Sequence, residues 1–114
     1  MTKQPRPQKL SGQTYEGRTG CGNLYVVCND RDGRLFEVFV RMGKSGTCGA
    51  AIMDAAGVVI SKALRSGMDV QEIVKGWSGI ECHRSPSCID AVALAIAEHE
   101  AARVPMPEEG ELVA

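Results

Sequence analysis

Five cysteines are the residues of this sequence best suited to chemistry, and their surroundings divide them into two kinds. Cys28 ends the apolar run Leu24-Tyr25-Val26-Val27, where a cysteine packs as a small hydrophobic residue. The other four stand among turn-forming residues, where the backbone can curl and bring thiolates together. They are Cys21, Cys48, Cys82 and Cys88. Four such thiolates form one of the common ligand sets of a structural zinc site.

The spacing of these cysteines leaves other interpretations open. A strong zinc signature has two close pairs, whereas here only Cys82 and Cys88 are near each other, with five residues between them. On spacing alone, free cysteines buried in the core are the favoured interpretation. A disulfide framework is not expected, because the number of cysteines is odd and the sequence shows no export signal.

A second candidate site is the segment Gly43-Lys44-Ser45-Gly46, which stands between a predicted strand and a predicted helix. Backbone N–H groups at the start of that helix could hold a phosphate, with nearby basic side chains adding charge. The residues of this candidate phosphate site are Arg41, Lys44, Ser45, Gly46 and Thr47. The segment is not a P-loop, because Val38 stands where that motif needs glycine. An ordinary glycine turn is the alternative, and the sequence alone favours it.

Alternation of apolar and polar residues predicts three strands, at residues 13–18, 23–29 and 35–41. The first is predicted to be an edge strand. The other two form an antiparallel hairpin, with Gly33 at the turn position that favours positive φ. In the third strand, Glu37 and Arg41 are expected to face outward while the apolar residues face the core.

Three helices are predicted after the strands, at residues 47–66, 69–77 and 87–103. The first carries an apolar stripe that is expected to face the core: Ile52, Ala55, Ala56, Val59, Ile60, Ala63 and Leu64. Gly57 indicates close packing against the sheet. Asp69 and Ser87 are the predicted caps of the other two helices, and His99 is expected on a solvated face. The predicted fold is α+β, a small antiparallel sheet followed by three helices packed on one face.

Length and composition limit the classes of protein. The 114 residues suit one domain, predicted at 11–104, with a flexible tail at 1–10 and an acidic tail at 105–114. A formal charge of −1 argues against a duplex-binding surface. The sequence has neither an apolar run of about 20 residues nor a secretory signal, so we expect a soluble, cytoplasmic protein. No catalytic arrangement of side chains is evident.

In chain order these features resemble the TSCPD domain, which is found near the C-terminus of adenosylcobalamin-dependent (class II) ribonucleotide reductases and also as a separate short protein. The matching stretches are 19–26, 36–46, Cys48, 63–67, 79–82 and 86–90. The last is the motif that names the family, Pro86-Ser87-Cys88-Ile89-Asp90. It has Pro86 in place of the family's threonine and Ile89 in place of its proline, and neither change removes a candidate ligand.

The resemblance implies family cysteines at the positions of Cys21, Cys48, Cys82 and Cys88 and none at Cys28, which agrees with the division made from their surroundings. We therefore expect one structural zinc on those four thiolates. The resemblance also implies an accessory or split-off module of deoxynucleotide synthesis. Its partner would be a large reductase catalytic chain, which would carry the adenosylcobalamin. The module is too short to contain the roughly 250 residues of a barrel enzyme, so we expect no catalysis from it alone.

Other interpretations stay open. Cys82 and Cys88 could be a redox pair that re-reduces an active site, although such a dithiol belongs on a flexible terminus. A stand-alone protein of this kind could instead bind or sequester a nucleotide or a nucleic acid through the turn at residues 43–46. It could also be an interaction domain whose zinc only holds the fold, and homo-oligomers are compatible with each of these functions.

Overall fold

A computed structural model of the chain describes residues 3–19, 22–43, 48–81 and 87–103. The elements are β1 (Ser11–Thr19), β2 (Gly22–Arg31), β3 (Arg34–Met42), α1 (Cys48–Arg65), α2 (Val70–Trp77) and α3 (Cys88–Ala101). The strands form one antiparallel sheet in the order β1-β2-β3. The predicted α+β class and the order of the elements are confirmed. None of the described helices is long and apolar enough to cross a membrane.

The hairpin between β2 and β3 turns at Asp32 and Gly33, where φ is 54° and 76°. Positive φ at both residues is what a two-residue type I′ turn requires, so the role predicted for Gly33 is confirmed. Beyond the turn, the register shifts between Asn29 and Asp30. This β-bulge leaves Phe36 as the extra residue of β3, and such an insertion bends the strand locally.

One apolar core lies between the sheet and the helices. The core consists of alternate residues of β2 and β3 and of residues on one side of each helix, because side chains alternate between the two faces of a strand and recur every three to four residues on a helix face. Its central members are Leu24, Val26, Cys28, Val38, Val40, Met53, Ile60, Leu64, Ile73, Val92, Ala95 and Ile96. Helix α3 packs across β1 and β2, α2 packs on α3, and α1 packs on β3.

Helix α1 covers the free edge of β3. The Ser61 hydroxyl accepts the Val38 N–H at 2.9 Å and donates to the Val38 carbonyl at 2.8 Å, so it pairs an edge that no strand pairs. A Cβ atom on Gly57 would lie 3.2 Å from both Val38 O and Val40 N. Glycine therefore permits the close approach that the sequence indicated. Covering an edge with a helix also blocks strand pairing with other chains.

The apolar stripe predicted for α1 is only partly the buried side of that helix. Ile60 and Leu64 are buried as expected, but Ala55 is exposed, and Ile52 and Val59 are 64% and 65% exposed. The prediction for these three residues is wrong because α1 lies along the edge of β3 and is covered on the side that carries Gly57 and Ser61. The opposite side of the helix faces outward.

Glu37 was expected to face solvent and is instead 2% exposed. It lies on the sheet face away from the core, where Arg6 covers it with bonds of 2.9 Å from Nε and from Nη2. Asn29 donates a further bond of 3.0 Å to the same carboxylate. Residues 3–10 form neither helix nor strand, and their flexibility in solution stays a prediction. The predicted acidic tail, residues 105–114, lies outside the described residues.

Candidate functional site

Cys88 is the predicted zinc ligand whose side chain the structure describes. It is the first residue of α3, half-buried, and its thiol lies 3.6 Å from the Thr19 hydroxyl, to which it donates. The Thr19 hydroxyl in turn donates to the Gly22 carbonyl at 2.9 Å. Thr19 and Gly22 flank the position of Cys21 in the chain, so Cys88 lies beside the connection between β1 and β2.

The described residues that precede Cys82 are hydrogen-bonded to residues at the start of α3. Ser87 caps the helix by accepting the Asp90 N–H at 3.0 Å, and its hydroxyl donates to the Ile80 carbonyl. The Asp90 carboxylate accepts the Gly79 N–H at 2.7 Å. The predicted cap at Ser87 is therefore confirmed. These bonds place the residues just before Cys82 against the helix end that bears Cys88.

The chain before Cys48 leaves from the same end of the sheet. The Gly43 N–H donates to the Asn23 carbonyl at 2.8 Å, directly after β3 ends at Met42, and α1 begins five residues later at Cys48. Asn23 is the second residue of β2 and follows Cys21 by two positions.

We call the end of the sheet formed by Thr19, Gly22 and Met42 the cysteine end, because described neighbours of all four predicted ligands lie at it. Cys21, Cys82 and the Cys48 side chain fall outside what the structure describes. Across the described ranges, no group of three or more histidine, cysteine or acidic side chains is placed to hold a metal.

Cys28 differs in its surroundings from Cys88, the other cysteine whose side chain the structure describes. Its side chain is 0% exposed in the core. Burial, reinforced by the nearby negative charge of Asp30, raises the pKa of the Cys28 thiol to about 12. A metal ligand must be a thiolate, and this thiol stays protonated at neutral pH. The structure therefore confirms Cys28 as a packing residue.

Of the candidate phosphate site, the structure describes Arg41, while Lys44, Ser45, Gly46 and Thr47 lie outside the described residues. Arg41 is exposed near the end of β3, on the face away from the core and opposite Tyr25, so its predicted outward orientation is confirmed. It makes no ion pair or hydrogen bond within the described part of the chain. Arg41 stands three residues before Lys44 in the chain.

A buried polar network that the sequence did not predict lies at the opposite end of the sheet. His99 was expected in solvent but is 6% exposed, so that prediction is wrong. Its Nδ1 lies 2.8 Å from the Tyr15 hydroxyl and its Nε2 lies 2.9 Å from Asp30 Oδ1. Because a carboxylate only accepts, His99 Nε2 carries the hydrogen of the bond to Asp30.

Arg103 completes this network. Its two terminal nitrogens lie 3.1 and 3.0 Å from the two carboxylate oxygens of Asp30, and it also donates to Glu100 and to the Gly33 carbonyl. Burial opposes ionisation of Asp30, but the bonds from Arg103 and His99 outweigh it and lower the pKa of the carboxyl. The same bond to Asp30 raises the pKa of Arg103. Through His99 the network joins α3 to Tyr15 of β1 and Asp30 of β2. No buried side-chain polar atom in the described residues lacks a partner.

The sequence does contain a signal for the burial of His99. Val92, Ala95, Ile96 and His99 follow the spacing of one helix face, and the first three are core residues. The charged neighbours Glu98 and Glu100 suggest an exposed position for His99, but residues adjacent in a helix lie on different faces and do not decide which face His99 occupies.

The structure is that of a small α+β domain with Cys88 at one end of its sheet. Comparison with known proteins gives the family. The TSCPD domain family model matches residues 1–100, so the chain belongs to the TSCPD domain family. Over 73 residues the chain is 29% identical to a vitamin B12-dependent ribonucleotide reductase of Agrobacterium fabrum (strain C58 / ATCC 33970). That match covers 63% of this chain and 6% of the reductase. No solved structure gives a significant match.

Proposed function

We propose that this chain is an accessory module of vitamin B12-dependent ribonucleotide reduction, which associates with a large catalytic chain and does not catalyse the reaction alone. Family membership and the similarity to a small part of such a reductase support the association. The adenosylcobalamin and the radical chemistry would belong to the catalytic chain. The described residues form a three-stranded sheet and three helices, a fold far smaller than a barrel of about 250 residues.

The experiment is a binding measurement between this chain and a purified vitamin B12-dependent reductase, together with activity assays of each. We expect the chain to bind the reductase and to reduce no ribonucleotide by itself when supplied with adenosylcobalamin and a dithiol. Reduction by the chain alone would contradict the accessory function. Absence of binding to the reductase, with the folded state verified by circular dichroism, would contradict the association.

The cysteine end, in this proposal, holds one structural zinc on Cys21, Cys48, Cys82 and Cys88. The observation that carries it is the meeting of the described neighbours of all four cysteines at one end of the sheet. Four thiolates are a donor set that suits tetrahedral zinc. The raised pKa of about 12 argues against Cys28 as a fifth candidate.

The alternative use of Cys82 and Cys88 as a mobile redox pair is less well supported. Ser87 and Asp90 bond to the backbone of Ile80 and Gly79, so the described residues before and after Cys82 are bonded to each other. A dithiol that travels to another active site needs a freely moving chain.

Elemental analysis of protein purified without chelator tests the zinc proposal. We expect one zinc per chain, its loss in Cys88→Ser, and its retention in the matched control Cys28→Ser. Chelation should lower thermal stability markedly, because structural zinc can contribute on the order of 10 kcal/mol. Protein without metal in which all five thiols titrate would contradict the proposal.

A second candidate function is nucleotide binding at residues 43–47, favoured by Arg41, which is exposed, precedes that segment and has no partner among the described residues. Arg41 and Lys44 would meet a phosphate at the start of α1. Calorimetric titration with a nucleotide panel tests this: Lys44→Ala should weaken binding by about 1–3 kcal/mol without lowering the melting temperature. A wild-type chain that binds no nucleotide, or an equal affinity of Lys44→Ala, would leave the segment an ordinary turn.

A further inference from the structure

The outward side of α1 is apolar along most of its length. Three large side chains on it are well exposed: Ile52 at 64%, Val58 at 48% and Val59 at 65%. We call this surface the α1 stripe, and its members are Ala51, Ile52, Ala55, Val58, Val59 and Lys62, all of them exposed. Scattered exposed apolar residues are ordinary, but five of these six positions are apolar and adjacent on one helix face.

The spacing within the α1 stripe is that of a helix-pairing surface. Ile52, Ala55, Val59 and Lys62 are separated by three, four and three residues, and such an alternation keeps a seam along one side of a helix. Ala55 lies in the middle of the stripe, where its small side chain allows a second helix to approach closely. With 18 residues, α1 is about 27 Å long, enough for several turns of contact.

One charge within the α1 stripe and one beside it favour a second copy of this chain as the occupant. Asp54 and Lys62 are both exposed, and Val58 is midway between them in the sequence. In two antiparallel α1 helices that cross near Val58, Asp54 of one copy comes level with Lys62 of the partner subunit, and two-fold symmetry repeats the pair. A parallel arrangement would bring like charges together, and an antiparallel one also opposes the helix dipoles favourably.

We propose that the chain forms a two-fold symmetric homodimer through antiparallel packing of the α1 stripes. The dimer would bury Ile52, Val58 and Val59, which the fold of one chain leaves in solvent. Burial of apolar surface supplies the driving force, and the two Asp54–Lys62 pairs set the orientation. The α1 stripe contains none of the four predicted zinc ligands, so the dimer and the zinc proposal are tested by different variants.

Sedimentation equilibrium of the full chain across a concentration series tests the dimer. We expect wild type to dimerise reversibly and Val59→Asp to raise the dimer dissociation constant by at least about tenfold, because it places a charge in the apolar seam. The matched control is Leu94→Asp, which changes an apolar residue that is 60% exposed on α3. It should leave the dissociation constant unchanged, and circular dichroism should show both variants folded.

Charge reversal tests the orientation. Asp54→Lys and Lys62→Asp should each weaken the dimer by roughly twofold to tenfold, and the double variant should restore it, since each pair is re-formed with its signs exchanged. A wild-type chain that stays monomeric, or equal effects of Val59→Asp and Leu94→Asp, would overturn the proposal. Failure of the double reversal to restore association would overturn the antiparallel arrangement.

Discussion

Replacing Ser61 with alanine tests how α1 is held to the free edge of β3. The Ser61 hydroxyl bonds both the N–H and the carbonyl of Val38, at 2.9 and 2.8 Å, and Ser61 is 8% exposed. Alanine would leave a buried donor and a buried acceptor without partners, and each such group costs about 1–3 kcal/mol. The two groups together predict that the free energy of unfolding falls by about 2–6 kcal/mol.

Urea unfolding followed by circular dichroism measures this change. Ser66→Ala is the matched control, because Ser66 directly follows α1 and its side chain makes no hydrogen bond within the described residues. It should alter the free energy of unfolding by less than about 0.5 kcal/mol. If Ser61→Ala is no more destabilising than Ser66→Ala, the Ser61 bonds do not hold the helix to the edge.

Three further predictions concern the carboxylates of Asp30 and Glu37, the close approach at Gly57 and the buried Cys28. The fold lowers the pKa values of Asp30 and Glu37 below their unfolded values of roughly 4. The stabilisation that these carboxylates give is therefore complete above about pH 4 and is lost as the pH falls through their pKa values in the folded chain. The urea midpoint should therefore drop on acidification, and less steeply in Asp30→Asn; equal slopes would contradict this. Gly57→Ala should lower the free energy of unfolding by about 1–3 kcal/mol, because the added Cβ would lie 3.2 Å from backbone atoms of β3. Gly76→Ala is the control: its added Cβ meets nothing within 4 Å, and alanine favours the helix, so the melting temperature should rise. Melting temperatures that change in the same direction in both variants would contradict the close approach at Gly57. Cys28→Ser should lower the free energy of unfolding by about 1–3 kcal/mol, because it buries a hydroxyl among apolar side chains. An unchanged free energy of unfolding would argue against an apolar environment at Cys28.

The parts of the fold that the sequence predicts are those determined by a few neighbouring residues. Asp32 and Gly33 form the hairpin turn because glycine and aspartate tolerate positive φ. Asp69 caps α2 by accepting the Gln71 N–H, and Ser87 caps α3 in the same manner with Asp90. Each of these features requires only residues within three positions along the chain.

The features that the sequence did not predict depend on partners far away in the chain. Glu37 is buried because Arg6 reaches it across 31 residues, and His99 because Asp30 lies beside it 69 residues earlier. The rotation of α1 about its axis was ambiguous for another reason. Apolar residues occupy most of its circumference, so only the close approach at Gly57 and the bonds of Ser61 decide which side is buried.

The structure also explains how this chain departs from its family motif without losing the fold. In the segment 86–90, Ser87 and Asp90 are the described residues whose side chains bond backbone groups, and both are retained. Ile89 stands where the family has proline, and it is the second residue of α3, half-buried against the core. Proline is tolerated in the first turn of a helix because the N–H groups there have no helical partner. Either side chain can therefore supply apolar contact at this position, while Ser87 and Asp90 keep Cys88 at the cysteine end.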